Sequence, residues 1–284
     1  MLRYEDIDDI SDGKRYKDTD KACIGTHGCQ GCSKCCESDM GTTIVLTPFD
    51  VYELTRGTGK SFDDMLVDFS VQISMIDGIA LPHLKMDDGC KFLKDSRCSV
   101  HQFRPGICRL FPLGRIYEAK DFSYFIQVHE CPVPDKEEVL VREWLGIEDL
   151  EENSSFINKW HRFIHFEQKK INEIREWTDN EANRIKGLND EELIVYAGIV
   201  GDELAPEQDE DIAEEVEKAW NPDVISGYRE KKIQELTESC NETIKGIMKT
   251  VLGYFFLDNY DAESSFYSQF DDRMKKCLAA LRKF

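Results

Sequence analysis

Four cysteines fall within eight residues near the start of this chain, as Cys29-Gln30-Gly31-Cys32-Ser33-Lys34-Cys35-Cys36. A Cys-x-x-Cys turn directs two sulfurs at one ion ~2.3 Å away and leaves the intervening amides free to hydrogen-bond the thiolates. Four thiols in so short a stretch exceed what one knuckle brings to a mononuclear zinc site. Successive side chains at Cys35 and Cys36 also diverge, so the pattern implies either two metal ions or one cluster with a spare thiol. A second group follows: Cys90 and Cys98, then His101, Arg104-Pro105, Cys108-Arg109 and Phe111-Pro112, with Cys131-Pro132 closing the series. Counted from Cys29, eight thiols lie in short segments that only folding can bring together.

Disulfides would be an alternative use, but the cysteine count is odd, at 11, and nine of them lie between Cys23 and Cys131. The amino terminus lacks a basic start and an apolar run, and no stretch reaches the ~18 apolar residues of a membrane span. The expectation is a protein of the reducing cytoplasm, where cysteines bunched at ligand spacing point to metal. With 36 basic against 56 acidic side chains, the formal charge is −20. A surface that negative repels phosphate backbones and anionic lipid, so neither nucleic acid nor a membrane is expected as partner.

The elements that must position the thiols change character near residue 136. Before it, glycines and prolines punctuate short segments. Residues 42–46 read as a strand, and Thr47-Pro48 as the N-cap and first position of a helix. A second helix is expected over 61–73, and a hairpin over 115–118 and 122–128. Beyond it, Phe156, Ile157, Trp160, Phe163, Ile164, Ile171 and Ile174 recur at helical spacing along one long amphipathic helix. Residues 201–217 are an acidic stretch, and 226–254 and 262–282 read as closing helices. The fold expected is α+β and predominantly helical, with a cysteine-rich metal domain containing a short sheet at 1–135 and a helical domain at 136–284.

The order Cys29-x2-Cys32-x2-Cys35-Cys36, Gly89-Cys90-x-Phe92-Leu93, Cys98-x2-His101-x2-Arg104-Pro105-x2-Cys108-Arg109-x-Phe111-Pro112 and Cys131 resembles the YkgJ family, cysteine-cluster proteins with a zinc- or iron-chelating domain. The resemblance covers residues 25–135 and implies that Cys29, Cys32, Cys35, Cys36, Cys90, Cys98, Cys108 and Cys131 are the chelating set. The cysteine domain of flagellin lysine N-methylases is distantly similar. No glycine-rich strand–turn–helix fingerprint for S-adenosylmethionine accompanies it here, and the Cys-x3-Cys-x2-Cys order of radical enzymes is absent.

Two cofactors suit these thiols. Cys29-x2-Cys32-x2-Cys35 matches the first three ligands of a bacterial ferredoxin run, with Cys131-Pro132 as a remote fourth, although position 39 is Asp39. Zn2+ would divide the eight thiols into two four-coordinate sets. The balance tilts to an iron–sulfur cluster of the four-iron type, with zinc kept open. Arg104 and Arg109 are placed to offset thiolate charge or to fix an anion beside it. Cys23 and His27 read as lead-in, Cys240 and Cys277 as ordinary helix cysteines, and His161 with His165 as an interfacial pair. No catalytic residue is visible. A redox or cluster-dependent enzyme, a metal or cluster carrier, and a structural zinc protein whose helical half binds a protein partner all stay open.

Overall fold

The computed structural model describes residues 6–26, 32–39, 43–86, 89–118, 121–128, 130–131, 133–197 and 222–284. A single turn, α1 (Ile7–Ile10), precedes strand β1 (Lys21–Gly25), and a π-helical turn spans Cys35–Asp39. Then follow β2 (Thr43–Val45), α2 (Pro48–Thr58), α3 (Phe62–Val67), β3 (Val71–Ile76) and β4 (Ile79–Lys85). The two-residue strands β5 (Leu93–Lys94) and β6 (Arg97–Cys98) lead through a 3-10 turn, His101–Phe103, to α4 (Gly106–Leu110). Strands β7 (Leu113–Tyr117), β8 (Phe122–Ile126) and β9 (Glu137–Leu140) follow, and the remainder is helix: α5 (Val141–Leu145), α6 (Leu150–Gly187), α7 (Asp190–Ala197), α8 (Pro222–Leu252) and α9 (Phe266–Leu281). The architecture is α+β with helix in excess, as composition and periodicity predict.

Local chemistry sets most boundaries. Thr47 and Asp50 form a reciprocal capping box ahead of α2, with Pro48 at its first turn, and Ser61 with Asp64 repeats the device on α3. The helix expected over 61–73 ends early, at Val67. Phe69 turns the chain at φ 58°, and residues 71–76 pair with β4 in an antiparallel hairpin closed by Asp77-Gly78, both at positive φ. Asp-Gly between two apolar runs is a hairpin signal, and it takes these residues into strand. The hairpin expected at 115–128 forms as β7 and β8. Strand β9 pairs back on β1, a partnership about 115 residues apart in sequence that no local pattern announces.

The chain divides into two compact units, one of Met1–Phe166 with Lys249–Lys283 and one of Glu167–Met248 with Phe284. In the first, Phe156, Trp160, Phe255, Phe266 and Phe270 form an aromatic core; Phe156 and Phe270 meet edge to face at 4.7 Å and Trp160 and Phe255 at 5.1 Å. In the second, Ile185, Leu193 and Ile225 are buried together, and Arg229 donates to the carbonyls of Ile185, Lys186 and Leu188 at the end of α6. The acidic stretch at 201–217 lies outside the described residues. No helix is long and apolar enough to cross a membrane among the described residues.

Candidate metal centre

Six cysteines from four short segments line one cavity of about 100 Å³: Cys32, Cys35, Cys36, Cys90, Cys98 and Cys108. Each is held by its own local device. The Cys36 amide donates to the Ser33 carbonyl at 2.7 Å, winding the turn that carries Cys35 and Cys36. Their sulfurs lie 4.0 Å apart. Cys90 is tied directly to that turn, its amide donating to the Cys36 carbonyl at 2.8 Å. Gly89 precedes it at φ +84°, a conformation that suits glycine. Cys98 ends the β5–β6 hairpin, whose two turn residues, Asp95 and Ser96, both have positive φ. Cys108 sits in the middle of α4, whose first turn begins after Pro105.

Helix α2 grips this last segment at three points. Asp50 is buried and accepts from the Gly106 amide at 2.6 Å, so one carboxylate caps both α2 and α4. Glu53 pairs with Arg109 at 3.3 Å, both largely buried. Gly57 lets Phe103 close onto the helix, since a Cβ there would stand 2.6 Å from the ring.

The thiols sense one another. Cys36 is pushed far above the ordinary thiol range, first by its hydrogen bond with Cys35, then by burial and by Cys35, Cys90 and Cys108. Burial raises Cys108 well above that range, with Cys90, Asp50, Cys98 and Cys35 adding to it. Cys90 and Cys98 are raised chiefly by burial as well. Opposing this, the amides of Phe92 and Leu93 bond the Cys90 sulfur and that of Val100 bonds Cys98, each favouring the thiolate. Several thiols with amide donors cannot ionise together in so small a space without a cation among them. The donor set therefore fits a thiophilic metal in type, number and enclosure. The fit is not that of a finished coordination shell: among the described residues, no three His, Cys, Asp or Glu side chains converge as a group that would hold an ion.

Of the residues singled out from sequence, Cys29 and His27 lie outside the described residues. Cys131 is half-buried but does not line the cavity; its carbonyl accepts from Lys136 Nζ at 3.0 Å. Cys23 is exposed on β1, with its thiol donating to the Lys136 carbonyl at 2.9 Å. The two arginines separate. Arg104 lines the cavity, and its Nη1 donates to His101 Nε2 at 3.0 Å. Arg109 is turned away from it. Its Nε donates to the Arg104 carbonyl at 3.0 Å, Nη1 to the Gly146 carbonyl at 3.2 Å, and Nη2 to Glu53 and the Gln102 carbonyl. Burial and the arginines at 104, 109 and 97 lower the His101 pKa, in keeping with its role as acceptor from Arg104. His161 stacks on Tyr117 at 3.6 Å and faces His165 at 6.4 Å. Cys277 is buried in α9.

Phe92 and Phe111, which wall the cavity, stand in the motif that carries the family resemblance, whereas Val100 and Trp144 on the same wall and Glu53, which braces it, have no signal in the sequence. Asp50 is announced only by the capping box at Thr47–Asp50. A larger cleft of about 630 Å³ lies elsewhere in the first unit, but its Lys17–Asp121 and Arg142–Asp18 pairs are closed and it holds no thiol.

Compared with known proteins, residues 28–132 match the family model described as "CxxCxxCC: Putative zinc- or iron-chelating domain". Neither the curated proteins nor the solved structures contain a match to this chain. Residues 28–132 thus carry the pattern of the YkgJ-like cysteine-cluster domain, described as zinc- or iron-chelating, which supports metal binding by this part of the chain.

Proposed function

We propose that residues 1–135 are a metal domain in which Cys29, Cys32, Cys35, Cys36, Cys90, Cys98, Cys108 and Cys131 hold an iron–sulfur cluster or zinc. The observation that carries this reading is the meeting of six of these thiols, from four segments, around one cavity. Six soft donors exceed the four of a mononuclear zinc site, which favours a polynuclear centre, and among these an iron–sulfur cluster. Such a cluster would supply one-electron chemistry. The chain's own part is to hold the thiolates, donate amides to Cys90 and Cys98 and wall off water with apolar side chains. The role is redox or cluster-dependent chemistry, or the handling of metal or cluster for another protein. No disulfide joins any of the ten described cysteines, in keeping with a reducing compartment.

A second reading assigns the metal a structural role and makes the helical domain at 136–284 a protein-interaction module. It is favoured by Trp177 and Val195, 61% and 75% exposed on α6 and α7.

Anaerobic purification without added metal, followed by assay of iron, zinc and sulfide per chain, tests the first reading against the second. About four iron and four sulfide are expected, with visible absorption that bleaches on reduction. Zinc without sulfide would overturn the cluster. Cys32→Ser should lose most of the metal and Cys240→Ser none; full metal content in the Cys32 variant would defeat the reading altogether.

A further inference from the structure

The cysteine cavity has a second chemical character. Two guanidinium groups, Arg97 and Arg104, line it together with His101, and among the described residues on its wall there is no carboxylate to neutralise them. That is unexpected in a chain with a formal charge of −20. Among the described residues Arg104 has no carboxylate partner in an ion pair, and its Nε is shut off from solvent with no hydrogen-bond partner there. Only Nη1 is engaged, by His101. Nε and Nη2 are thus left without a hydrogen-bond partner among the described residues, and that edge is the fork that takes a carboxylate or oxyanion through two parallel bonds. A buried guanidinium donor left unbonded costs free energy, so its natural complement is an acceptor brought by a ligand.

The rest of the wall narrows the class. Phe92 and Val100 are buried, and Trp144 is fixed as a flat wall by donating its indole N–H to the Phe111 carbonyl at 3.1 Å. The cavity of about 100 Å³ is shared with the metal that the thiols would hold, and since a single water needs roughly 10–15 Å³, the part beside Arg104 suits only a small group of a few heavy atoms. An inorganic oxyanion would leave those apolar walls uncovered, whereas a short aliphatic carboxylate covers them while its charge meets Arg104.

We propose that Arg104, oriented by His101 and assisted by Arg97, binds a small aliphatic carboxylate beside the thiols, so that the metal domain also recognises an anionic organic ligand. The proposal rests on the reading of this cavity as the metal site.

The test is a titration of the full-length protein, purified anaerobically, with 13C-labelled propionate, observed by NMR and paired with metal analysis of each sample. Saturable one-to-one binding is expected. Arg104→Gln should weaken it by about tenfold or more with the metal per chain unchanged, and Arg104→Lys should fall between, keeping the charge but losing the fork. Arg97→Gln should weaken it less. Circular dichroism checks the fold of each variant. The proposal is overturned if propionate does not bind, if it binds Arg104→Gln as well as wild type, or if inorganic phosphate binds in preference. It is also overturned if Arg104→Gln sheds its metal, because Arg104 would then serve the thiolates. A wild-type protein without metal would defeat the metal reading instead, and the comparison of wild type with Arg104→Gln would still decide the anion site.

Discussion

Around Phe156, Trp160, Phe255 and Phe270 the chain packs rings edge to face between long helices, whereas around Cys36, Cys90, Cys98 and Cys108 it gathers thiols that raise one another's pKa. Both regions belong to the same compact unit. The first is stable by ordinary burial. The second is built from two-residue strands, a single 3-10 turn and a five-residue helix, with positive φ at Gly89, Asp95 and Ser96. Elements so short contribute little cohesion of their own. The contrast teaches that the cysteine region borrows its order: from α2 through Asp50, Glu53 and Gly57, and, on the function proposed above, from the metal that the thiols would hold.

Stripping the metal with a chelator is the strongest way to sharpen that contrast. Hydrogen exchange at residues 32–36 and 89–110 should accelerate by about tenfold or more, while amides in the middle of α9 keep their protection. Equal acceleration in both places would show that the aromatic core depends on the metal too. The converse cut is Phe156→Ala. It should cost about 3–5 kcal/mol in chemical denaturation, yet leave metal per folded chain unchanged.

Glu53→Ala attacks the join. Arg109 would be left with its charge unpaired in a buried setting, which costs about 3 kcal/mol, and it positions the Arg104 carbonyl and the chain next to Cys108. Metal should therefore dissociate faster to a competing chelator, an effect that Phe156→Ala should not reproduce at equal destabilisation. The smallest effect lies at Asp68, which holds α3 to the turn before β3. Bonds from Lys60 and Ser70 lower its carboxyl to about 2 from 3.8. A depressed folded-state pKa stabilises the fold above the unfolded value, so the contribution is complete above about pH 4 and fades as pH falls through about 2. With the side chain 35% exposed, solvent screening limits Asp68→Asn to less than about 1 kcal/mol at pH 7, measured by thermal unfolding across that range.

Local chemistry made much of this legible. The N-terminus of α2 follows from Thr47, Pro48 and Asp50, because a cap is decided by groups three residues apart. The long helix α6 follows from its apolar stripe, and β7–β8 from two runs about a turn. The helix expected over 61–73 stops at Val67 for an equally local reason: the Asp77-Gly78 turn draws residues 71–76 into a hairpin with β4. The β1–β9 pair was hidden because its partners are far apart in the chain.

For the candidate site, residue types and spacing by themselves determined the kind of chemistry, since thiols at Cys-x-x-Cys intervals have few other uses in a chain of this composition. Tertiary structure alone decided which groups share a space. It drew Cys90, Cys98 and Cys108 to the Cys32–Cys36 turn and left Cys131 outside the cavity wall. It also parted two arginines that look alike in sequence, setting Arg104 on that wall and locking Arg109 onto Glu53. Spacing along a chain reports what a turn can bring together, whereas the direction of a long side chain depends on the elements packed around it, and those come from distant residues.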